Sequence, residues 1–407
     1  MKAIRFMEPE VIEYSAVATP EPKDNEVLAQ IAYAGFCATD IELLTGDMIH
    51  IKNGFTKYPI IPGHEWSGTI VAVGRDVRDL KVGDRITSDV SLGCGECDEC
   101  RKGHYNLCPN REVVGSYRNR QGVFAEYVAV PQRHVYKIPE NVSMEEAALA
   151  EPAATAMYAV SKAKIPAGAE VLVIGDGPIG QLAAQLANIA GASKVIMAGS
   201  WDEKLAIARS CGIQETINYH KEDVVQRAQE LTEGGPEIVI ETSGSNAALD
   251  MAVRALKPTG RIVAVSWYNG PSVAVAMNTV IVKDAELVGS LASPNSFGPV
   301  LRYMAEGKLK VKPLITLREG EVGILGKGLG VKNGLDNLLK LMGDEIHPEP
   351  RLPLYFGYTQ THNLCDQLRE RVVEKYHPAR VEQNSVGAVV GTHVGPDGAV
   401  VVYLDQE

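Results

Sequence analysis

The sequence predicts an α/β protein in which a β-rich amino-terminal domain precedes a doubly wound nucleotide-binding domain. Two patterns support this prediction. Short β-like runs separated by Gly and Pro fill the first 150 residues, and from Ala167 onward apolar strands alternate with helical stretches. Uninterrupted apolar strands that alternate with helices are typical of a parallel sheet covered on both faces. A chain of 407 residues is also too long for one compact core, which favours several domains.

The composition narrows the classes of function. A net charge of −11 argues against the basic face that a nucleic-acid binder needs. No stretch of about 18 apolar residues is available to span a membrane, and the segment MKAIRFMEPEV lacks the apolar core of a signal peptide. We therefore expect a cytoplasmic protein with neither nucleic-acid nor membrane partners. Because disulfides are rare in that compartment, the seven cysteines are expected to be metal ligands or free thiols.

Four cysteines fall within the segment GCGECDECRKGHYNLC, at Cys94, Cys97, Cys100 and Cys108. Three thiols at intervals of three residues, with a fourth eight residues later, can surround one tetrahedral ion. Zinc suits four thiolates, and an iron–sulfur cluster is the alternative. Because sulfur fills all four positions, such an ion has no position open to a substrate. We therefore expect it to be structural.

A catalytic metal needs fewer protein ligands and room for a substrate. The candidates are Cys37 in AGFCATD and His64 with Glu65 in IPGHEWSG. Each of these residues alone is more often structural. Together, in a chain that also carries a nucleotide-binding motif, they form a Cys/His/carboxylate set of the kind that holds catalytic zinc.

The nucleotide-binding motif is VLVIGDGPIGQLAAQ, in which Gly175, Gly177 and Gly180 follow a predicted strand and open a predicted helix. Glycines at this spacing permit a tight turn and let a pyrophosphate approach the helix N-terminus closely. With Pro178 and Ile179, they form the predicted cofactor-binding turn.

The second strand of this domain bears on the choice between NAD and NADP. An NAD site usually ends that strand with Asp or Glu, but KVIMAGSWDEK has Gly199 and Ser200 at this point. The absence of a carboxylate favours NADP, with Ser200 or Lys204 contacting its 2′-phosphate. The alternative is that Asp202 moves in to serve NAD.

The ordered set of motifs resembles the zinc-containing medium-chain alcohol and polyol dehydrogenases. Besides the four-cysteine segment, the matching segments include GFCATD, PGHEWSGTIVAVG, VGDRI, GVFAEYVAVP, ALAEPAATAMYAV and VLVIGDGPIG, and they cover about residues 1 to 312. The resemblance implies a GroES-like catalytic domain at 1–155, a Rossmann domain at 156–292 and a return segment at 293–312. It also implies a homo-oligomer, either a dimer or a tetramer.

The same resemblance assigns roles to individual residues. It implies a catalytic zinc at Cys37 and His64, with Glu65 and Glu151 as the acidic positions, and it leaves open which glutamate binds directly. Thr39 stands where the family places the hydroxyl that relays the substrate proton. Catalytic function is thus expected of Cys37, His64 and Thr39.

These parts imply hydride transfer from a secondary alcohol, polyol or sugar-like, to NAD or NADP. Zinc is expected to lower the pKa of the substrate hydroxyl, Thr39 to pass the proton outward, and the nicotinamide to accept the hydride. Glu151 in LAEPAATA resembles the sorbitol-type and sugar branches. A threonine-type substrate is the alternative, although threonine dehydrogenases carry a histidine where this chain has Ser91.

From about residue 310 the sequence departs from that family. The tail at 313–407, with its junction near Pro313, is predicted to be an α+β segment and resembles the carboxy-terminal part of the DegV-type fatty-acid-binding proteins. Thr392 and His393 would lie at the lipid-head end of such a protein. One hypothesis is that AVVVYL pairs with an exposed edge of the catalytic domain. A non-catalytic acyl-chain-binding or regulatory chimera is therefore the alternative function.

Overall fold

The computed structural model describes residues 1–268, 272–311, 316–318, 321–323, 354–358, 363–376, 381–385 and 399–402. The strands are β1 Lys2–Glu8, β2 Val11–Ala16, β3 Glu26–Gly35, β4 Glu65–Val73, β5 Arg85–Ser88, β6 Ser91–Leu92, β7 Glu112–Val113, β8 Tyr127–Pro131, β9 Val135–Lys137, β10 Glu170–Ile174, β11 Lys194–Gly199, β12 Glu215–Asn218, β13 Ile238–Glu241, β14 Arg261–Ala264, β15 Glu286–Gly289, β16 Thr316–Arg318, β17 Glu321–Gly323, β18 Leu354–Tyr358, β19 Val381–Ser385 and β20 Ala399–Val402. The α-helices are α1 Ala38–Thr45, α2 Ile49–Lys52, α3 Asp98–Arg101, α4 Met144–Ala148, α5 Ala150–Ala163, α6 Pro178–Ile189, α7 Asp202–Ser210, α8 Val224–Leu231, α9 Asn246–Ala255, α10 Met277–Val282, α11 Phe297–Ala305 and α12 Asn363–Tyr376. Two short 3₁₀ helices occupy Tyr105–Leu107 and Gln132–His134.

The amino-terminal part is built on a five-stranded antiparallel sheet in the order β8-β3-β4-β5-β9. Alternate apolar side chains of these strands meet in one core, in which Trp66 is fully buried. The indole Nε1 of Trp66 donates a hydrogen bond to Ser88 Oγ at 3.1 Å, so its one polar atom is satisfied. The β-rich first domain predicted from the sequence is confirmed.

The β3–β4 pair determines which ends of the chain meet. These strands are antiparallel, and Gly35 at the end of β3 lies opposite Glu65 at the start of β4. The residues that follow β3 and the residue that precedes β4 therefore come to the same end of the sheet. Cys37 and His64 lie in these two connections.

The second part contains a six-stranded parallel sheet in the order β12-β11-β10-β13-β14-β15. This is the doubly wound order that the sequence predicts, and the strand order reverses between β10 and β13. Ligands of such sheets bind at the carboxyl ends of the strands, outside that reversal. The helix α5 runs without a break across the predicted boundary between residues 155 and 156 and packs against α6 and α11.

The described part of the tail forms a two-stranded sheet of β16 and β17 and a separate three-stranded sheet. Its order is β19-β18-β20, and β20 pairs antiparallel with β18, with Tyr355 opposite Val402. Among the described residues β20 pairs only with β18, so the hypothesised pairing of AVVVYL with the catalytic domain is not found there. The predicted junction near Pro313 and the residues Thr392 and His393 lie outside the described residues. Within the described residues, no helix is long and apolar enough to cross a membrane.

Candidate active site

One cluster of metal-ligand side chains lies where β3 and β4 meet. It contains Cys37, His64 and Glu65, whose ligand atoms all lie within 4.8 Å of one another. Cys37 is the residue before α1, and Glu65 is the first residue of β4. Gly35 makes room for this arrangement, because a Cβ there would lie 2.1 Å from Glu65 Oε2 and 2.9 Å from Glu65 Cβ.

Burial governs the electrostatics of this cluster. Burial raises the pKa of the Cys37 thiol, although a hydrogen bond from His64 opposes the rise. Burial and then the Glu151 charge raise the pKa of Glu65 to about 8. For His64, burial would lower the pKa, but the Asp40 carboxylate and the Cys37 sulfur raise it well above its ordinary value. Burial therefore disfavours negative charge on the thiol and the carboxyl group unless a cation offsets it, and a thiolate, an imidazole and a carboxylate are ligands that zinc accepts.

Asp40 belongs to the same site, although the sequence analysis did not single it out. Its Oδ2 accepts from the Cys37 backbone N–H at 2.9 Å, and its Oδ1 accepts from the Gly63 N–H at 3.0 Å. The same Oδ1 lies 3.6 Å from Nδ1 of His64, a buried atom with no hydrogen bond of its own. A buried carboxylate beside a ligating imidazole orients the ring and raises its basicity. The available signal was its position three residues after Cys37, where it caps the first turn of α1.

Glu151 and Thr39 lie near this cluster without joining the group of three ligand atoms. Glu151 is in the first turn of α5, and Thr155 Oγ1 donates to its Oε1 at 3.4 Å. The Glu151 charge raises the pKa of both His64 and Glu65, so its carboxylate lies close to the cluster. Thr39 is half-buried in the first turn of α1, two residues after Cys37. The catalytic roles of Glu151 and Thr39 stay predictions.

The second cluster holds the four cysteines predicted from their spacing, Cys94, Cys97, Cys100 and Cys108. The loop between β6 and β7 carries all of them. Cys94 Sγ lies 3.9 Å from Cys100 Sγ, and Cys97 Sγ lies 3.8 Å from Cys108 Sγ. Four sulfurs at about 2.3 Å from a tetrahedral zinc would lie about 3.8 Å apart, whereas disulfide-bonded sulfurs lie about 2.05 Å apart. The donor set and its spacing fit one zinc ion.

Backbone N–H groups support sulfur in this loop in its anionic form. Cys94 Sγ accepts from the Cys97 N–H at 3.4 Å, and Cys108 Sγ accepts from the N–H groups of Cys94 and Asn110, both at 3.3 Å. The backbone N–H groups of Glu96 and Cys97 lower the pKa of Cys94 to about 6. Burial instead raises the pKa of Cys100, so the thiols of Cys94 and Cys100 do not ionise equally.

The glycine turn after β10 has the geometry that a pyrophosphate site needs. Gly175 has φ +115°, a conformation that side chains rarely adopt, and a Cβ at Gly180 would lie 1.9 Å from the Gly175 carbonyl oxygen. Gly177 faces open space at the N-terminus of α6. Pro178 and Ile179 are the first two residues of α6. Backbone N–H groups at this helix end can therefore approach an anion.

Of the residues predicted to discriminate the cofactor, Ser200 directly follows β11 and Lys204 lies in the first turn of α7. Ser200 and Lys204 both lie beside Asp176 of the glycine turn, since Ser200 Oγ donates to Asp176 Oδ2 at 3.3 Å and Lys204 Nζ lies 4.0 Å from Asp176 Oδ1. Asp202 instead accepts from Asn218 Nδ2 at 2.7 Å and pairs with Lys221. Asp176 is the acid that reaches the end of this strand.

Family models match consecutive parts of the chain. The alcohol dehydrogenase GroES-like domain matches residues 23–140, and the zinc-binding dehydrogenase model matches residues 178–306. The uncharacterised DegV family matches residues 304–406.

Individual relatives agree with these matches. A D-arabitol-phosphate dehydrogenase from Enterococcus avium is 33% identical over 306 residues, which cover 74% of this chain and 85% of the relative. An L-threonine 3-dehydrogenase from Pyrococcus abyssi is 33% identical over 308 residues, covering 75% and 87%. The chain belongs to the zinc-binding alcohol dehydrogenase family. The crystal structure of a zinc-binding dehydrogenase from Sinorhizobium meliloti, bound to NADP, is 32% identical, with a TM-score of 0.70 and coverage of 76% of this chain and 89% of that one.

This zinc-binding dehydrogenase is an oxidoreductase with a GroES-like and a Rossmann-type domain, as predicted. The predicted likeness of the tail to the DegV family is also confirmed, and the match begins at residue 304, nine residues before the predicted tail. The two relatives named above each cover about three quarters of this chain.

Proposed function

We propose that this dehydrogenase oxidises a secondary alcohol of a polyol or sugar-like substrate and transfers the hydride to NAD or NADP. The set of Cys37, His64 and Glu65, in which His64 and Glu65 are buried and Cys37 is half-buried, carries the proposal. It offers three protein ligands, and a catalytic zinc site keeps its remaining position for the substrate. The similarity to a D-arabitol-phosphate dehydrogenase supports a polyol as the substrate class.

The roles proposed for individual residues follow from the donor set. Cys37, His64 and Glu65 would hold the zinc, and the neighbouring Glu151 supplies a second carboxylate to the site. Zinc bound there would supply Lewis-acid chemistry, lowering the pKa of a coordinated hydroxyl. Thr39, in the first turn of α1, is the proposed relay for the hydroxyl proton.

The cofactor is proposed to lie across the turn formed by Gly175, Gly177, Pro178, Ile179 and Gly180. The turn supports this because it leaves open space at the N-terminus of α6, where N–H groups and the helix dipole favour a pyrophosphate. Ser200, directly after β11, and Lys204, in the first turn of α7, are the proposed neighbours of the adenosine ribose.

A threonine-type amino alcohol is the second candidate substrate, because the relative from Pyrococcus abyssi is an L-threonine 3-dehydrogenase. Ser91 favours the polyol, since the threonine enzymes carry a histidine at that position. In this chain Ser91 is fully buried in β6, just before the four-cysteine loop.

A substrate screen with the full chain tests this proposal. Polyols, polyol phosphates, sugars and threonine are offered with NAD and with NADP, and the absorbance of the reduced cofactor is recorded. Elemental analysis on the same preparation is expected to find about two zinc ions per chain. Polyol turnover should exceed threonine turnover. A zinc-loaded chain that reduces neither cofactor with any of these alcohols would contradict the proposal.

We also propose a homo-oligomer, a dimer or a tetramer, in the cytosol. The edge strand β15 and the adjoining α10 support the oligomer, because they expose apolar side chains: Ile281 is 68% exposed, Val282 85% and Leu287 38%. Apolar surface on a sheet edge is usually covered. Light scattering would give the mass, and a monomer would contradict this proposal. The thiolate clusters support the cytosol because they require a reducing compartment.

A further inference from the structure

We propose that Asp176 makes this dehydrogenase prefer NAD over NADP, by supplying from the glycine turn the acid that the end of β11 lacks. This inference rests on the proposed nucleotide site. It differs from the expectation drawn from Gly199 and Ser200 alone, which favoured NADP.

The Asp176 carboxylate is held at the end of β11 by three donors. Its Oδ2 accepts from the Ser200 N–H at 2.8 Å, from the Trp201 N–H at 3.0 Å and from Ser200 Oγ at 3.3 Å. The residue is only 9% exposed. The two N–H groups precede α7, so they also carry the partial positive charge of that helix N-terminus. Asp176 Oδ2 therefore occupies the N–H donors that would otherwise be available to a bound anion at this place.

The surrounding residues fix the carboxylate in this position. A Cβ at Gly199 would lie 2.5 Å from Asp176 Cβ and 2.6 Å from its Oδ2, so a larger residue at the end of β11 would exclude it. Lys204 Nζ lies 4.0 Å from the other carboxylate oxygen. Gln181 Nε2 donates to the carbonyls of Asp176 at 3.3 Å and Lys204 at 2.8 Å, which ties the turn to α7.

The position of the Asp176 carboxylate should determine the relative affinity for NAD and NADP. In a doubly wound sheet the adenosine ribose lies at the carboxyl end of the second strand, where a carboxylate accepts from the 2′-hydroxyl of NAD. NADP carries a phosphate there, which would be repelled by Asp176 and would find the Ser200 and Trp201 N–H groups occupied. Lys204 is beside the same carboxylate, so its charge is offset.

Asp202 is the competing candidate, because it lies at the start of α7 in the same strand-helix connection. Its carboxylate is engaged by Asn218 and Lys221 at the end of β12. It makes no contact with the Ser200 or Trp201 N–H groups among the hydrogen bonds of the described residues. Asp202 therefore offers a matched control: a nearby acid that leaves the discriminating donors untouched.

Direct binding of the reduced cofactors tests the inference without any alcohol substrate. NADH and NADPH are titrated against the full chain by nucleotide fluorescence, for the unchanged protein and for Asp176→Ser, Asp176→Asn and Asp202→Asn. We expect the unchanged chain to bind NADH at least about tenfold more tightly than NADPH. Asp176→Ser frees both N–H groups and should reduce that ratio by about tenfold or more. Asp176→Asn, which keeps the size and removes the charge, should reduce it in the same direction.

The outcomes separate this inference from the proposed function. Equal or tighter binding of NADPH by the unchanged chain would overturn the inference and leave the dehydrogenase assignment intact. A ratio that Asp176→Ser and Asp176→Asn leave unaltered, or that Asp202→Asn alters as much, would also overturn it. Failure to bind either nucleotide would instead count against the proposed nucleotide site. Thermal unfolding of each variant verifies the fold, and Asp176→Asn serves if Asp176→Ser does not fold.

Discussion

The two cysteine-containing clusters differ in how their ligands are gathered and in what they leave open. The loop between β6 and β7 supplies four sulfurs from one short segment, and their tetrahedral spacing closes the site. The other cluster takes Cys37, His64 and Glu65 from two strand ends and mixes sulfur, nitrogen and oxygen. We call the four cysteines the closed set, and Cys37, His64 and Glu65 the open set. A closed zinc site can contribute only to folding, whereas an open one can also bind a substrate. With zinc in both clusters, as we propose, the same metal chemistry would serve stability in one region and reactivity in the other.

Cys37→Ser should have the largest effect of the proposed substitutions, and it should affect turnover through the open set alone. Removing the only thiolate of the open set is expected to lower kcat by about a thousandfold or more, or about 4 kcal/mol of barrier. Zinc content should fall by about one ion per chain, because the four-cysteine loop is untouched. Turnover by stopped-time assay and elemental analysis measure both effects.

Cys211→Ser is the matched control, because Cys211 is a half-buried free thiol outside both clusters. It should leave turnover and zinc content unchanged. If Cys37→Ser kept its turnover, or lost zinc from both sites, the division between an open and a closed set would fail.

Cys97→Ser should reverse the pattern, with stability as the main loss. Metal binding to a closed set is folding free energy, so loss of one ligand of the four is expected to lower the free energy of unfolding by about 3 kcal/mol. Urea unfolding measures this, again with Cys211→Ser as the control. Zinc and residual turnover should be retained at the Cys37 site in the fraction that stays folded. Unchanged unfolding with full zinc content would show that the loop does not depend on its ion.

The same contrast explains what the sequence could predict. The four cysteines lie within 15 residues, from Cys94 to Cys108, so their spacing alone indicates one ion. Cys37 and His64 are separated by 27 positions, and only the antiparallel pairing of β3 with β4 joins them. The doubly wound sheet was predictable because its apolar strands alternate regularly with helices.

Other features depended on contacts that no local pattern carries. Asp40 stands in the quoted segment GFCATD, but its link to His64 crosses from α1 to the connection before β4. The role of Asp176 could not be predicted, because the acid that binds the ribose is expected at the end of the second strand of the sheet. In the structure, Asp176 reaches that strand end from the glycine turn that follows the first strand. The pairing of β20 with β18 could not be predicted, because the sequence of an apolar strand does not determine which strand it pairs with.

Asp40→Asn should produce an intermediate effect on the open set alone. The amide cannot supply the negative charge beside His64, and loss of such a partner typically costs 10- to 100-fold in metal affinity or activity. Zinc affinity measured by competition with a chelator, together with kcat, reports the loss. Asp47→Asn is the control, because Asp47 is an exposed acid just after the same helix. A change in the stability of the four-cysteine loop instead would contradict this role for Asp40.

Gly35→Ala should have the smallest effect and should act through Glu65. The added methyl group would lie 2.1 Å from Glu65 Oε2 and 2.9 Å from its Cβ, so the carboxylate must move away from Cys37 and His64. We expect kcat to fall by about tenfold, which is about 1.4 kcal/mol of barrier. Glu65→Ala removes the carboxylate itself and is expected to cost at least as much. If Gly35 acts mainly by making room for the carboxylate, the double variant should lose less than the sum of the two single losses, because the two changes share one target. The 2.9 Å contact with the Cβ of residue 65, which Glu65→Ala retains, accounts for what is left. Fully additive losses would mean that Gly35 supports the pairing of β3 with β4 and not the position of the Glu65 carboxylate.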